Sequence, residues 1–417
     1  MALTGKFSTL KTYVVSFFKW GLLGLLMGAW GGLLGAAFHH ALHFVTHLRN
    51  HNTWLIFLLP AGGLLSVGIY HLFKQRSNRG TNQIIDAVLK GEEVSPLVAP
   101  TIFLATATTH LFGGSAGREG AALQIGGSIA SLLAKILKLE RRDRRILILC
   151  GMSAVFAGLF GTPLTAVLFC MEFVSVGTLF SPALLPGYLA AYTASRVSGL
   201  LGVHAEGLLL ETAAAVTLSS VWRFALLAVL VSVVGILMCW VFHKAEHLAA
   251  HHVKNPWIRI FMGGVLIMVM TLLVGDHRYN GAGMDMALGA VEGNAQWFDF
   301  ILKMLFTAVT LAAGFKGGEI VPTFCIGATF GCIVGGLLGL DPGLCGALGL
   351  IGLFCCATNS PFASIVLSIE MFGNANLHLF ALVCVICFVL SGHSGLYASQ
   401  RFVFRKDSTN PLPKDSI

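Results

Sequence analysis

The chain has 417 residues, of which 56% are hydrophobic and only 11% are charged. In a soluble protein of this length, charged residues make up about a quarter of all residues. The composition therefore excludes an ordinary soluble domain and predicts an all-α polytopic membrane protein. The net charge of +8 would suit a nucleic-acid partner, but the basic residues cluster in short connections, where the positive-inside rule accounts for them.

The amino-terminal segment, residues 1–20, contains three lysines and no separate apolar core with a small-residue cleavage site. We therefore expect a cytoplasmic segment rather than a cleavable signal. Residues 54–73 and 224–242 form apolar runs long enough, or nearly so, to cross a hydrocarbon core of about 30 Å. The tail, residues 401–417, is predicted to be short and cytoplasmic.

Several other apolar stretches are short and are bounded by glycine or proline: residues 97–111, 121–134 and 320–340. They predict tilted or half-crossing helices that end inside the membrane. Irregular backbone is tolerated at that depth only where protein or a water-filled cavity covers it. The motifs Gly161-Thr-Pro163 and Asn359-Ser-Pro361 predict breaks between consecutive helices.

The chain repeats itself at an offset near 200 residues. The matching pairs, in the same order in both halves, are His39 with His243, His43 with His247, Glu119 with Glu319, Pro163 with Pro361, and Glu172 with Glu370. We therefore predict two membrane repeats, residues 21–204 and 205–400. Such repeats occur in secondary transporters in inverted or parallel form, and the sequence leaves this choice open.

Glu119 lies in the glycine-rich segment Gly117-Arg118-Glu119-Gly120. An ionisable residue in the hydrocarbon layer costs several kcal/mol or more, so it is functional by default. The glycines let backbone N–H groups face an anion, and a helix that begins here adds its positive end. A deprotonated Glu119 competes for this place and a protonated one leaves it, which predicts coupling of an anion to a proton. The alternative is a capping glutamate at an ordinary helix start.

Glu319 lies in the corresponding segment of the second half, Gly317-Gly318-Glu319-Ile320-Val321-Pro322. Two interpretations stay open for this second carboxyl near an anion site. It is a proton carrier or a neutral hydrogen-bond donor, or it is a carboxylate paired with Lys316 or Arg118. Glu172 and Glu370 end apolar helices, and we expect both carboxylates to reach the membrane interface.

Histidines recur at helical spacing in both halves: His39, His43, His47 and His51, and then His243, His247 and His251. The form His-x-x-Glu-His at His243, Glu246 and His247 occurs in some zinc proteases, which leaves an intramembrane metalloenzyme as an alternative. The copy in the first half lacks the glutamate, so we interpret the histidines as lining an interfacial helix end. We predict no metal and no cofactor. The ten cysteines lie in or beside apolar stretches and are interpreted as small buried hydrophobic residues.

These segments resemble the CLC family of chloride channels and chloride/proton antiporters over essentially the whole membrane part of the chain. Gly117 to Gly120 is similar to the gating-glutamate motif, with Ala121 where proline is usual. Gly318 to Pro322 resembles the second selectivity segment, and Tyr397 falls on the anion-contacting tyrosine. The resemblance implies a CLC-type inverted repeat of broken and tilted helices and a homodimer of two separate pores.

The chain departs from the usual family pattern at three places, and in these it resembles a bacterial fluoride-exporting branch of the family. Thr81 and Asn82 replace the serine and glycine of the first selectivity segment, Glu319 precedes Ile320 in the second, and Phe173 stands where exchangers carry an inner glutamate. The resemblance therefore implies a fluoride/proton antiporter of the bacterial cytoplasmic membrane. A chloride/proton antiporter or passive chloride channel of the same fold is the alternative.

The resemblance also assigns the site. Glu119 is expected to be both gate and proton carrier. Protonated Glu319 and Thr81 would supply the tight hydrogen bonding that selects fluoride. The expected anion-binding residues are Thr81, Asn82, Gly117, Arg118, Gly120, Gly318, Glu319, Ile320, Val321 and Tyr397.

Overall fold

A computed structural model describes residues 2–75, 79–204, 207–210, 218–403 and 406 of the chain. Within these residues sixteen α-helices form the fold. The first half contains α1 (Ala2–His51), α2 (Leu59–Leu72), α3 (Thr81–Lys90), α4 (Val98–Leu111), α5 (Glu119–Ile136), α6 (Arg141–Phe160), α7 (Pro163–Glu172) and α8 (Leu184–Leu200). The second half contains α9 (Leu218–His252), α10 (Pro256–Val274), α11 (Met284–Val291), α12 (Asp299–Ala313), α13 (Ile320–Leu337), α14 (Pro342–Thr358), α15 (Pro361–Phe372) and α16 (Leu377–Leu390).

Four short elements accompany the helices in the described part of the chain. The 3₁₀ turns Thr53–Leu58 and Ser181–Ala183 precede α2 and α8. The two-residue strands β1 (Ser175–Val176) and β2 (Arg401–Phe402) pair in parallel, so the chain beyond α16 is attached to the segment after α7. The fold is therefore all-α apart from this one small ladder in the described part.

Five helical segments of the described chain are long and apolar enough to cross a membrane. They are Tyr13–His51, Thr53–Leu72, Ser220–His252, Pro256–Val274 and Ile320–Leu337. The two crossings predicted at residues 54–73 and 224–242 coincide with the second and third of these. Helices α4, α7, α14, α15 and α16 are apolar but shorter. The prediction of broken and partly crossing helices is confirmed.

The helix breaks lie where proline and positive backbone angles require them. Gly161 (φ +71°) ends α6 and Asn359 (φ +57°) ends α14 in the left-handed conformation. Pro163 and Pro361 then begin α7 and α15, where a missing N–H costs least. Both predicted breaks are confirmed.

The expectation that the carboxylate reaches the membrane interface is wrong for Glu172, and for Glu370, which is half-buried, it stays a prediction. Glu172 ends α7 and is only 4% exposed, and its carboxylate accepts the N–H groups of Phe362 and Ala363 at the start of α15. Glu370, near the end of α15, accepts those of Leu164 and Thr165 at the start of α7 in return. Each carboxylate meets the positive end of the other helix, which stabilises its charge.

This exchange of contacts also relates the two halves of the chain. Glu172 of the first half caps α15 of the second half, and the equivalent residue Glu370 caps the equivalent helix α7 in return. Such reciprocal contacts are expected when a two-fold axis relates two units. The eight helices of each half follow one another in the same order, which supports the predicted repeat. The predicted boundary after residue 204 adjoins residues 205–206, which lie outside the described residues.

The two ends of the chain differ in how far the structure describes them. Helix α1 passes residue 20 without a break. Of the predicted tail at 401–417, residues 404–405 and 407–417 lie outside the described residues. The cysteines are all buried and none forms a disulfide.

Candidate functional site

The two glycine-rich segments meet at Gly117 and Gly318. The N–H of Gly117 donates to the carbonyl of Gly318 at 2.7 Å, and the N–H of Gly318 donates to the carbonyl of Gly117 at 2.8 Å. This isolated antiparallel bridge joins the residues just before α5 and α13. The N-termini of two helices from opposite halves of the chain are thereby held together. They form one backbone cradle that faces the positive ends of both helix dipoles.

Glu119 occupies this place. It is the first residue of α5 and is fully buried. One carboxylate oxygen, Oε2, accepts the N–H of Arg118 at 3.1 Å, and the other, Oε1, is buried without a hydrogen-bond partner among the described residues. The backbone N–H of Val321, in the first turn of α13, also faces the carboxylate. Glu119 thus sits among amides from both halves.

Glycine is required around this carboxylate because a side chain would displace it. A Cβ at Gly318 would lie 2.5 Å from Glu119 Oε2 and 2.8 Å from the nitrogen of Gly120. A Cβ at Gly117 would also overlap Oε2. These glycines let the backbone of both segments approach the carboxyl closely.

Glu319 lies at the N-cap position of α13 and is half-buried. Its oxygen Oε2 is buried and has no hydrogen-bond partner among the described residues. Lys316 forms no ion pair with it in that part of the chain, so the interpretation of Glu319 as a partner of Lys316 is wrong. Ile320 and Val321 follow in the first turn of α13 and are each 1% exposed.

Tyr397 reaches the same region from the chain end. It is buried, and its hydroxyl has no hydrogen-bond partner among the described residues. The charges of Glu319 and Glu119 both act on this hydroxyl. The Tyr397 ring meets the edge of Phe173 at 5.3 Å between ring centres, and Phe173 stacks on Phe169 at 4.5 Å. Phe173, at which the family resemblance places the inner glutamate of exchangers, is fully buried.

Thr81 and Asn82 differ in their contribution to the site. Thr81 begins α3 and is buried, and a Cβ at Gly120 would lie 2.9 Å from its hydroxyl oxygen. Its hydroxyl is therefore adjacent to the Glu119 segment. Asn82 Oδ1 instead accepts the N–H of Ser399 at 3.0 Å. Asn82 therefore ties α3 to the Tyr397 segment, and its side-chain oxygen is engaged there.

Arg118 lines the entrance to the site. Its guanidinium lies 5.1 Å from the centre of the Phe160 ring, and one nitrogen lies 3.5 Å from His39 Nδ1. A cavity of about 550 Å³ extends outward from Arg118 and Val321. Its lining includes Arg49 and several histidines and only one acidic residue, Asp285, so the entrance is cationic.

The histidines of α1 form a row along this entrance. Ring centres are 6.4 Å apart from His39 to His43 and from His43 to His47, and 4.1 Å apart from His47 to His51. Within the described residues, no three His, Cys, Asp or Glu side chains converge in a geometry that could hold a metal ion. His39, His43 and His47 of this row line the cavity.

Residues that support the glycine-rich segments were missed in the sequence. His110 Nε2 lies 3.3 Å from the carbonyl of Gly117. Lys303, in α12, is fully buried, and its ammonium donates to Ser115 Oγ at 3.0 Å and to the carbonyl of Gly281 at 2.7 Å. A lysine within the otherwise apolar stretch of α12 was an available signal, because a charge at membrane depth is seldom incidental.

The fold and the paired helix starts define a membrane protein of the channel and transporter class. A profile described as voltage gated chloride channel matches residues 62–392. A chloride/fluoride channel protein of Pseudomonas syringae pv. tomato is 35% identical over 405 residues, covering 95% of this chain and 89% of that protein. The H(+)/Cl(-) exchange transporter ClcA of Vibrio vulnificus is 24% identical over 412 residues, covering 90% and 88%.

Solved structures agree with this match. The crystal structure of a CLC-type fluoride/proton antiporter superposes with a TM-score of 0.89 at 32% identity, covering 92% of this chain and 98% of that one. A slow cyanobacterial Cl⁻/H⁺ antiporter gives 0.76 at 21% identity, covering 89% and 93%, and supports the fold alone. The chain belongs to the voltage-gated chloride channel family, the CLC family, and its two halves form the inverted repeat of that fold.

Proposed function

We propose that this protein exchanges fluoride for protons across the cytoplasmic membrane and so exports fluoride from a bacterial cell. One observation carries the proposal. The Glu119 carboxyl is fully buried in the backbone cradle between Gly117 and Gly318, with one oxygen lacking any hydrogen-bond partner among the described residues. A carboxyl held there only by backbone N–H groups can leave, and an anion can accept the same N–H groups in its place.

The charges of the cradle explain the coupling. Backbone amides and two helix starts stabilise one negative charge, which either the Glu119 carboxylate or an anion supplies. Two negative charges in one buried place repel each other strongly. Protonation removes the charge of Glu119, so the carboxyl can swing out and admit the anion. Return of the carboxylate expels the anion and requires release of the proton.

Selection of fluoride rests on the hydrogen-bonding groups around the cradle. Fluoride is small and strongly hydrated, so a site must replace much of its water with donors. Thr81 offers a hydroxyl beside Gly120, and the buried hydroxyl of Tyr397 and the oxygen Oε2 of Glu319 have no partners among the described residues. A protonated Glu319 would donate to fluoride as well. The fluoride-related names of two similar proteins support this choice.

Parallel efflux of fluoride and chloride from proteoliposomes, with external pH recorded, tests the proposal. We expect rapid fluoride efflux, much slower chloride efflux and proton movement in the opposite direction to fluoride. Chloride flux comparable to fluoride flux, with protons moving, would instead establish a chloride/proton antiporter, the activity named for the Vibrio vulnificus relative. Fluoride flux without proton movement would establish a channel.

We also propose a homodimer with both chain ends in the cytoplasm, as the family resemblance implies. Two membrane repeats, 21–204 and 205–400, would then build a separate pore in each subunit. Cross-linking in native membranes measures the subunit number. Accessibility of single cysteines placed at residues 5 and 412 to an impermeant thiol reagent measures the sidedness, and labelling from outside intact cells would contradict it.

A further inference from the structure

A second cluster of cations lies away from the Glu119 cradle. A cavity of about 190 Å³ is formed where the end of α2, the start of α10 and the segment after α12 meet. Arg259 and Lys316 both line it, together with Tyr70, Ser66 and His71, and no acidic residue of the described chain lines it. The glycine-rich segment that ends at Glu319 begins beside this cavity, at Gly314.

Two polar atoms of this cavity lack hydrogen-bond partners among the described residues. Tyr70 is 7% exposed, and its hydroxyl is buried without a hydrogen bond in the described part of the chain. Arg259 Nε is likewise buried without a partner there. A buried polar group without a hydrogen bond costs about 1–3 kcal/mol, so a pocket with two such donors is built for an acceptor.

The charges in the cavity point to the nature of that acceptor. Lys316 lies over the Tyr70 ring, with Nζ 4.8 Å from the ring centre, which keeps its charge at the pocket. Arg259 and Lys316 place two positive charges in the wall of this cavity. Glu246 influences Lys316 more than Arg259 does, and Glu319 influences it less, but neither carboxylate forms an ion pair with Lys316 among the described residues. Water would satisfy only the unpartnered donors, whereas an anion would accept from them and also pair with both cations.

We propose that this cavity binds a small inorganic anion from the aqueous phase, held by Arg259, Lys316 and the hydroxyl of Tyr70. It would be a second anion site, separate from the cradle at Glu119. Because Lys316 precedes Gly318 by only two residues, an anion here is placed to supply the selectivity segment. That role rests on the proposed anion transport, whereas binding to the cavity does not.

Bromide is a suitable probe because its anomalous scattering locates it in crystals. We expect an anomalous peak in contact with Lys316 and Arg259 in the wild-type protein. In titrations of purified protein, Arg259→Gln and Tyr70→Phe should each weaken bromide binding to this site about tenfold or more, because each removes a donor to a charged ligand. Tyr70→Phe keeps the ring under Lys316. Arg141→Gln, at an exposed position, is the matched control and should leave the affinity unchanged.

Absence of the peak, or affinities unchanged by both substitutions, would overturn the proposal. A lipid phosphate offers similar chemistry, so titrations in phosphatidylcholine nanodiscs are compared with titrations in phosphatidylglycerol nanodiscs. Equal bromide affinity in both is expected, and loss of binding in phosphatidylglycerol would assign the cavity to a lipid headgroup. In Glu119→Gln the peak should persist while proton coupling is lost, so failure of this site and failure of the proposed transport cycle are distinguishable.

Discussion

Gly117 and Gly318, 201 positions apart in the sequence, exchange both of their backbone hydrogen bonds. Each belongs to a different half of the chain, and each precedes a helix that begins at the same buried place. The carboxyl of Glu119 fits against both glycines, and neither leaves room for a side chain there. The site is therefore a joint product of the two repeats, and its geometry depends on their contact.

Gly318→Ala should disable the gate. The new Cβ would overlap the Glu119 carboxylate and the backbone nitrogens of Gly120 and Glu119, and because the backbone cannot yield cheaply, the carboxyl would have to leave its place. We expect at least about a tenfold loss of fluoride flux, corresponding to roughly 1.4 kcal/mol. Flux is measured with a fluoride electrode on proteoliposomes. Gly199→Ala in α8, where nothing lies within 4 Å, is the control, and equal flux in the two variants would contradict the assignment.

Glu119→Gln should uncouple fluoride transport from proton transport. Glutamine keeps the size of the side chain but cannot release a proton, so fluoride-driven proton movement should vanish. Any remaining fluoride flux should become independent of pH. The measurement is external pH during fluoride efflux. Glu140→Gln, at an exposed helix cap without a side-chain hydrogen bond, should keep normal coupling. Unchanged coupling in Glu119→Gln would remove that residue from its role.

Tyr397→Phe should weaken anion binding without loss of stability. The hydroxyl of Tyr397 has no partner among the described residues, so its removal breaks no internal hydrogen bond there. A hydrogen bond to a charged ligand contributes about 1.5–3 kcal/mol, so fluoride affinity should fall about tenfold or more. Calorimetric titration with fluoride and thermal unfolding measure the two effects.

Tyr279→Phe is the contrasting variant. The hydroxyl of Tyr279 donates to Asp299 Oδ1 at 2.6 Å, away from the cradle. Its removal should lower the free energy of unfolding by about 1–3 kcal/mol and leave fluoride affinity unchanged. If instead Tyr397→Phe destabilises the protein and binds fluoride normally, Tyr397 is a structural residue.

Glu172→Ala and Glu370→Ala should destabilise the fold while sparing selectivity. Each substitution leaves two N–H groups at a helix start without their acceptor. We expect a loss of about 1–3 kcal/mol for each, seen as a lower unfolding midpoint in detergent. The ratio of fluoride to chloride flux should not change. Glu292→Ala, at an exposed position, should leave the unfolding midpoint unaltered. An equal drop in that variant would show that the hydrogen bonds of Glu172 and Glu370 to the helix starts make no specific contribution to stability.

The sequence predicted those parts of the fold that local chemistry specifies. Proline at 163 and 361 favours a helix that begins there, and the glycines around Glu119 permit irregular backbone inside an apolar chain. The offset near 200 residues then indicated that Glu119 and Glu319 are counterparts. All of these signals lie within short segments, so they can be read without knowing which helices are neighbours.

The features that were missed depend on contacts between distant segments. Glu172 looked like a helix-end carboxylate at the interface, because nothing near it in the sequence shows that the start of α15 lies against it. The anion cavity of Tyr70, Arg259 and Lys316 combines three elements separated by more than fifty residues each. Asn82 was predicted to bind the anion from the family resemblance, yet its side-chain oxygen accepts the N–H of Ser399. Only the packing of the helices reveals these partners.

The inverted relationship of α5 and α13 has a thermodynamic consequence. Because a two-fold axis relates the two helix starts at the cradle, the anion meets similar backbone dipoles whichever aqueous compartment it arrives from. The site itself therefore gives transport no preferred direction, and the ion gradients set it. Liposomes with an acidic interior should therefore accumulate fluoride, whereas liposomes with an acidic exterior should release it.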